Sequence, residues 1–530
     1  MAASDFDVLV VGAGFAGMYL LHRLRKLGLS AKAFEAGGGV GGTWYWNRYP
    51  GARCDVESMQ YSYQFDDELQ QEWAWTERYA PQPEILRYAN HVADRHDLRR
   101  DIRFDTRVTA ARFDEATNRW TLTTDDGAET TARFVVMATG CLSAFNMPRI
   151  DGIDDFQGTT YHTGRWPHEG VDFTGQRVAV IGTGSSAIQS IPIIAQQAAH
   201  LTVFQRTPNY TIPAHNQPLD PAYVARVKAE YPQMRARAKA TPPGIDLTVG
   251  GPSAIAASAT ERRAEYEKRW AYGGITFMAA FADLMLDPTA NDTAAEFVRE
   301  KIRATVKDPK VAELLCPDNV IGCKRLCVDT GYWETYNRDN VTLVDVSKAP
   351  IERITTAGVR HDGEDYKVDA IVFATGFDAM TGAITRIDVR GRGGARLKDK
   401  WAAGPRTYLG VATAGFPNLF MVTGPGSPSV LTNMLPSIEQ HVEWITDAIA
   451  HVRGNQRQVI EPTAAAEDAW VDHVNEVAGA TLRSTCSSWY VGANIPGKPR
   501  VFMPYIGGFP AYVAKCEEVV AKGYEGFALS

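Results

Sequence analysis

Two copies of one supersecondary signal constrain this chain more than any other feature. The run Phe6-Asp-Val-Leu-Val-Val11 leads directly into Gly12-Ala-Gly14-Phe-Ala-Gly17, and then into Met18 to Leu27, whose apolar spacing is helical. Such an apolar run is unsuited to a solvent-facing edge and predicts a buried parallel strand. A strand before G-x-G-x-x-G and a helix after it make a dinucleotide-binding turn. Gly12 permits the tight turn, Gly14 admits a pyrophosphate, and Gly17 lets helix and strand approach. Glu35 ends the next expected strand, Ala31 to Glu35. A carboxylate there accepts from a ribose 2′-OH and repels a 2′-phosphate, so the first nucleotide is FAD or NAD.

The second copy begins at Gln176 to Ile181 and continues as Gly182-Thr183-Gly184-Ser185-Ser186-Ala187-Ile-Gln189, with Ala187 in place of the third glycine. The following strand, from Leu201 to Pro208, ends in Arg206 and Thr207 rather than an acid. A guanidinium at that point can grip an adenosine 2′-phosphate with two parallel hydrogen bonds, so the two turns take differently charged nucleotides. Between them the run Gly41 to Asp55 holds Trp44, Tyr45, Trp46 and Tyr49 with few charges, a dry wall suited to an isoalloxazine ring. Asp55 is a charge in that wall and needs a partner. The reading is FAD first and NADPH second. Two apolar runs close with Ala-Thr-Gly, Arg133 to Gly140 and Tyr366 to Asp378, one for each turn.

A length of 530 residues suggests about three domains. The expected fold class is α/β, with two Rossmann-like dinucleotide-binding domains, FAD and NADP, and a helical insertion in the NADP domain. Residues 1–142 and 378–530 form the FAD domain, and 143–377 the NADP domain. The insertion, 213–322, carries helical patterns over Tyr223 to Ala240, Thr260 to Trp270 and Thr293 to Lys307. An amphipathic helix is expected from Pro436 to Val452, and a Gly/Pro-rich mobile loop around Ser488 to Pro499. A net charge of −7 gives no electrostatic footprint for nucleic acid or an anionic membrane. No run approaches the ~18 apolar residues of a membrane span, and the N-terminus has no secretory pattern. Seven cysteines without paired spacing predict reduced thiols in a cytoplasmic protein. Cys323 and Cys327 lack the second pair that a metal site would need, so no metal is expected.

One further stretch lies between the two turns: Phe156, Gly158, His162, Trp166 and Pro167, spaced F-x-G-x-x-x-H-x-x-x-W-P. By residue type alone it is a linker with a core histidine and a packed tryptophan. By pattern it resembles the fingerprint of the Baeyer–Villiger monooxygenases, and the Gly41 to Asp55 run resembles that family's second signature. The likeness spans essentially the whole chain and leans to the phenylacetone and cyclohexanone monooxygenase branch. It implies NADPH- and O2-dependent conversion of ketones to esters or lactones through a C4a-peroxyflavin, with sulfoxidation alongside. It also implies Arg325 as active-site arginine with Asp55 as its carboxylate neighbour. Thr43, Trp44, Tyr45, Trp46, Arg53, Tyr61 and Val108 would serve the flavin. Ser185, Ser186, Gln189, Lys324, Arg206, Thr207 and Trp489 would serve NADP. Leu142, Leu431 and Met434 would line the substrate pocket. The loop 424–434 has the longer form of the phenylacetone branch, pointing to aryl and bulky ketones. The other readings are a flavin-containing or N-hydroxylating monooxygenase, and a non-enzymatic flavoprotein that serves as a binding module. A disulfide reductase would need a cysteine pair near the first turn, where only Cys54 stands. Partners are then a small ketone and O2, in a monomer or weak oligomer.

Overall fold

The computed structural model describes residues 5–530. Two sheets organise it, the first mixed, with Arg119–Thr124 antiparallel to both neighbours, and the second wholly parallel. In the first, the strand Phe6–Val11 lies between Ala31–Phe34 and Glu129–Met137, parallel to both, with Val10 opposite Ala33 on one side and Val136 on the other. Alternation along this strand separates two apolar layers. Val8 and Val10 face the helices Phe15–Lys26, Met434–Gly454 and Phe509–Ala521, whereas Leu9 and Val11 face Ile384, Leu397 and Trp401. Two late strands return to this sheet: Leu419–Met421 runs parallel to Glu129–Met137, and Asp388–Arg390 parallel to Val108–Asp114. Residues beyond 378 therefore complete the first sheet.

The second sheet has five parallel strands in the spatial order Val341–Asp345, His200–Gln205, Arg177–Ile181, Ala370–Phe373 and Thr159–His162. The helix Ser185–Gln197 follows the central strand and covers the face that carries Val178 and Val180.

Several local expectations are corrected. The helical pattern over 223–240 is two helices, Pro221–Ala229 and Tyr231–Lys239, because Pro232 lacks the N–H that a continuous helix would use. These two helices pack into the first core through Val227, Tyr231 and Met234, while Tyr266, Phe277 and Phe297 of the same insertion pack into the second. The insertion thus braces both sheets. The run from Tyr366 to Ala374 is two strands in different sheets, Glu364–Lys367 and Ala370–Phe373. The chain turns between them, where the Asp369 carboxylate accepts from the Arg177 backbone N–H at 2.8 Å and from its guanidinium at 2.7 Å. The helix expected over 436–452 is Met434–Gly454; it is buried on most of its surface rather than amphipathic. The cysteines are not all free, since Cys323 and Cys486 form a disulfide with Cα atoms 5.7 Å apart. A sequence separation of 163 hides such a pair until the fold assembles it. Among the described residues no helix is long and apolar enough to cross a membrane, and no cluster of ligating side chains suits a metal.

Candidate active site

The two glycine-rich turns open onto one shared cavity of about 1870 Å³. In the first turn Gly12 has φ +107°, and a Cβ there would stand 2.5 Å from the Ala138 carbonyl oxygen. A Cβ on Gly17 would stand 2.0 Å from the Gly12 oxygen, so helix and strand meet without room for a side chain. Gly14 precedes the helix in an extended conformation and faces Gly42. Glu35 is buried, and its carboxylate accepts from the backbone N–H groups of Ala13 and Gly37, each at 2.8 Å. Burial pushes its pKa up against the pull of those two donors. Each carboxylate oxygen keeps further acceptor capacity for a ribose hydroxyl.

The aromatic run forms the short helix Thr43–Trp46. The Trp44 indole N–H donates to the Tyr61 hydroxyl at 3.0 Å. Thr43, Trp44, Trp46, Arg53, Tyr61 and Val108 border the cavity. Tyr45 does not: its ring lies against Gly37 and Gly39, and its hydroxyl accepts from the Gly38 N–H at 2.9 Å. Its ring thus braces the loop from outside the cavity lining. Leu142 and Met434 border the cavity, but Leu431 packs beside it in a neighbouring apolar cluster.

In the second turn Gly182 has φ +113°, and a Cβ would stand 2.6 Å from the Ala374 oxygen. Gly184 has open space before it, and Ala187 is buried against the sheet. The Thr183 hydroxyl donates to the Thr207 carbonyl at 2.8 Å, tying the turn to the strand end that carries Arg206. The Ser185 hydroxyl meets the Cys327 sulfur at 3.2 Å and the Ser186 hydroxyl meets that of Thr163 at 3.0 Å, so both have protein partners. Gln189 clasps the two halves together: its amide oxygen accepts from the Tyr49 hydroxyl at 2.8 Å and its NH2 donates to the Arg53 carbonyl at 3.0 Å. Arg206 and Lys324 border the cavity, and among the described residues neither forms an ion pair. Burial and the Arg206 charge together lower the Lys324 pKa.

Arg325 lies where the two halves meet. Its Nε donates to Asp55 Oδ2 at 2.5 Å and its Nη2 to Asp55 Oδ1 at 2.9 Å, a two-pronged pair across 270 positions. Its Nη1 donates to the Val430 carbonyl at 2.6 Å. Three of the five N–H bonds are thus used, leaving one on each Nη. The Asp55 carboxylate raises the Arg325 pKa against the cost of burial, so the guanidinium stays charged. Val430 had no signal in the sequence, because it acts through its backbone oxygen.

The linking stretch that contains His162 does not border the cavity except at Gly164 and Arg165. The His162 Nδ1 accepts from the Gly164 N–H at 2.9 Å, which leaves its Nε2–H to donate to the Asn146 carbonyl at 3.2 Å. Burial lowers its pKa to about 4, so the ring is neutral. Gly158 has no room for a side chain beside the Asp369 oxygen, and Trp166 packs on Tyr161 and Phe173. Phe156 lies at the edge of another apolar cluster, and Pro167 follows Trp166 in the turn. Phe156, Gly158, His162 and Trp166 thus pack along the edge of the second sheet, away from the cavity.

A sequence profile for pyridine nucleotide-disulphide oxidoreductases matches residues 9–243. The chain is 46% identical to a "Baeyer-Villiger monooxygenase" of Pseudooceanicola batsensis, over 98% of this chain and 96% of that one. It is 45% identical to "Phenazine N-monooxygenase PhzNO1" of Lysobacter antibioticus, over 99% and 97% of the two chains. A solved structure of "Oxidized steroid monooxygenase bound to NADP" superposes with a TM-score of 0.94 at 56% identity, over 99% of both chains.

Proposed function

The chain belongs to the Baeyer–Villiger monooxygenases, and from that premise we propose that Arg325, held by Asp55 and Val430, is the centre at which oxygen is inserted beside a carbonyl. The activity is the NADPH- and O2-dependent oxidation of ketones to esters or lactones, with FAD and NADPH as cofactors. The residues present fit both groups. The first turn has no room for side chains at Gly12 and Gly17 and offers the Glu35 carboxylate, as the FAD adenosine half requires. The second presents Arg206 and Lys324 without an acidic partner, as a 2′-phosphate requires.

The single observation that carries the reading is the Arg325–Asp55 pair. NADPH supplies the electrons, and FAD supplies the site at which O2 is activated. The chain does the rest. The two free N–H bonds of Arg325 offer a fixed positive charge wherever oxygen becomes negative, and a preorganised charge needs no solvent rearrangement as the reaction proceeds. Asp55 holds the guanidinium plane and offsets part of its charge, so the group is oriented and not swept toward the nearest anion. Trp44 and Leu142 keep water from the same space, which limits unproductive release of hydrogen peroxide.

Thr183, Ser185, Ser186, Gln189, Thr207 and Trp489 border the NADPH side and Thr43, Arg53, Tyr61 and Val108 the FAD side, the roles we assign to them. The domains are 1–142 with 378–530, and 143–377. The ketone is aryl or otherwise bulky, a reading supported by the likeness to a steroid monooxygenase. Sulfides are oxidised at the same centre, and the enzyme works in the cytoplasm as a monomer or weak oligomer. The likeness to a phenazine N-monooxygenase supports a second reading, oxidation at a heteroaromatic nitrogen. The test is a panel of phenylacetone, steroid ketones, small cyclic ketones, sulfides and phenazines, followed by product mass. Esters from the bulky ketones carry the proposal. N-oxides without esters would replace it with the second reading.

A further inference from the structure

Cys323 and Cys486 are joined although 163 positions separate them, and the bond ties together two segments that the proposed chemistry uses. Cys323 immediately precedes Lys324 and Arg325. Cys486 lies three residues before Trp489, in the segment that runs over the cavity to Lys498. Both cysteines border the cavity, as does Trp489. The middle of this segment is packed, with Tyr490 and Val491 buried in an apolar cluster beside Met380 and Val430; its far end has polar ties, the Asn494 amide donating to the Phe377 carbonyl at 2.7 Å and the Lys498 ammonium to the Asp378 carboxylate at 2.6 Å. Upstream, Arg483 Nε donates to the Gly322 carbonyl at 3.0 Å. Water can replace the Arg483 contact, and the apolar packing begins only at Trp489, so without the covalent bond the Cys486 end of the segment can lift. With it, the Cys486 end cannot leave the Arg325 turn.

We propose that the Cys323–Cys486 pair is a redox-controlled clamp that holds the Cys486 end of the Trp489 segment beside Lys324 at the shared cavity and is released by reduction. The proposal rests on the assignment of Lys324 and the second nucleotide turn to NADPH. Closure balances with hydrogen peroxide, which a flavin oxygenase releases when NADPH and O2 are consumed without ketone. One cysteine thiolate attacks a peroxide oxygen, breaking the O–O bond to give a sulfenic acid and hydroxide. The second thiolate then displaces hydroxide from that sulfur and forms the S–S bond. Two electrons leave the sulfurs, and one peroxide and the two thiol protons become two waters. A dithiol reverses the step: its thiolate breaks the S–S bond, and its second sulfur resolves the mixed disulfide, returning two thiols. The chemistry is confined to this pair. The other five cysteines have no sulfur partner. Burial pushes the thiol of Cys141 up to about 11 and those of Cys327 and Cys516 up to about 12, which leaves them protonated and unreactive.

The test uses the full chain with FAD bound, treated with a slight excess of hydrogen peroxide or with dithiothreitol and then freed of reagent. Three readouts apply: mass spectrometry of unreduced peptides, the rate of limited trypsin cleavage after Arg483 and Arg500, and stopped-flow dissociation of NADP+. The oxidised enzyme should yield the 323–486 linked peptide, resist trypsin at both sites, and release NADP+ at least threefold more slowly than the reduced enzyme. Cys323→Ser and Cys486→Ser should each behave like reduced enzyme after either treatment, so that a folding defect in one variant does not decide the matter. Absence of the linked peptide after peroxide would overturn the proposal. So would equal trypsin cleavage in the two states when the linked peptide is present. Trypsin cleavage reports the clamp without reference to nucleotide. If the clamp closes by that measure while Arg206→Ala leaves NADPH binding unchanged, it is the assignment of the turn that fails.

Discussion

The two nucleotide turns are built from the same strand, glycine turn and helix, yet they treat charge in opposite ways. The first draws its acid inward: Glu35 is buried, with both oxygens engaged by backbone N–H groups. The second leaves Arg206 and Lys324 facing the cavity without an ion pair among the described residues. Packing differs as well. Gly17 sits against the Gly12 carbonyl with no space for a methyl group, whereas the corresponding position in the second turn already carries the methyl of Ala187. A turn closed this tightly suits a nucleotide that stays, and a turn with free cations at its edge suits one that is chosen by its phosphate and then exchanged.

The sharpest way to break this contrast is Gly17→Val. A side chain that starts 2.0 Å from a backbone oxygen must push helix from strand, so the protein should lose its FAD entirely and melt at a lower temperature. Flavin absorbance per chain measures it. Arg206→Ala comes next. Losing a charge-assisted contact costs on the order of 1.5–3 kcal/mol, so the Michaelis constant for NADPH should rise more than tenfold while that for NADH barely moves. Equal effects on both would remove the charge contrast between the turns.

A smaller effect concerns pH. His162 and His441 are held neutral by burial, with pKa values lowered to about 4 and about 3. An unfolded histidine titrates near 6.5, so as pH falls the unfolded chain binds protons first. The stability these groups contribute is present above pH 6.5 and lost as pH falls toward 4 and 3, by about 2 kcal/mol each between pH 7 and 5. Glu439 opposes them. Its pKa is raised to about 7, so its contribution grows as pH falls through 7 toward 4.5 and offsets about one histidine. The urea midpoint should therefore be lower at pH 5 than at pH 7, and His162→Asn should shrink the difference. Smallest of all is Ala187→Gly, which should cost about 1 kcal/mol of helix propensity and leave NADPH binding unchanged.

Much of this was legible in sequence because it is local. The glycine turns, Glu35 and Arg206 announce themselves within a few dozen residues of their strands, and the near-continuous apolar run Phe6–Val11 reveals a strand buried on both faces. The Arg325–Asp55 pair was reached through family likeness, since nothing in spacing links positions 270 apart. The Val430 contact escaped because a backbone carbonyl has no side-chain signature. The disulfide is hidden because cysteine spacing speaks only to neighbours in sequence, and its two cysteines lie 163 positions apart. The support that the Tyr45 ring gives to the three glycines Gly37 to Gly39 is not legible from its place among the tryptophans, because it depends on how the loop folds back. The strand break at Asp369 was hidden because apolar residues continue on both sides of it.

The central claim is that the two unlike turns converge on Arg325. Arg325→Ala should be compared with Arg325→Lys for ester formed from phenylacetone, NADPH consumed and hydrogen peroxide released, below the melting temperature of each. Removing the guanidinium leaves the Asp55 carboxylate unpaired in a partly buried place, so some loss of melting temperature is expected, but FAD and NADPH should still bind. The alanine variant should form ester about 100-fold more slowly or worse. The lysine variant should recover only part of that loss, because an ammonium cannot hold Asp55 and the Val430 carbonyl in one plane. Ester formation by Arg325→Ala at the parent rate, with both cofactors bound, would contradict the assignment.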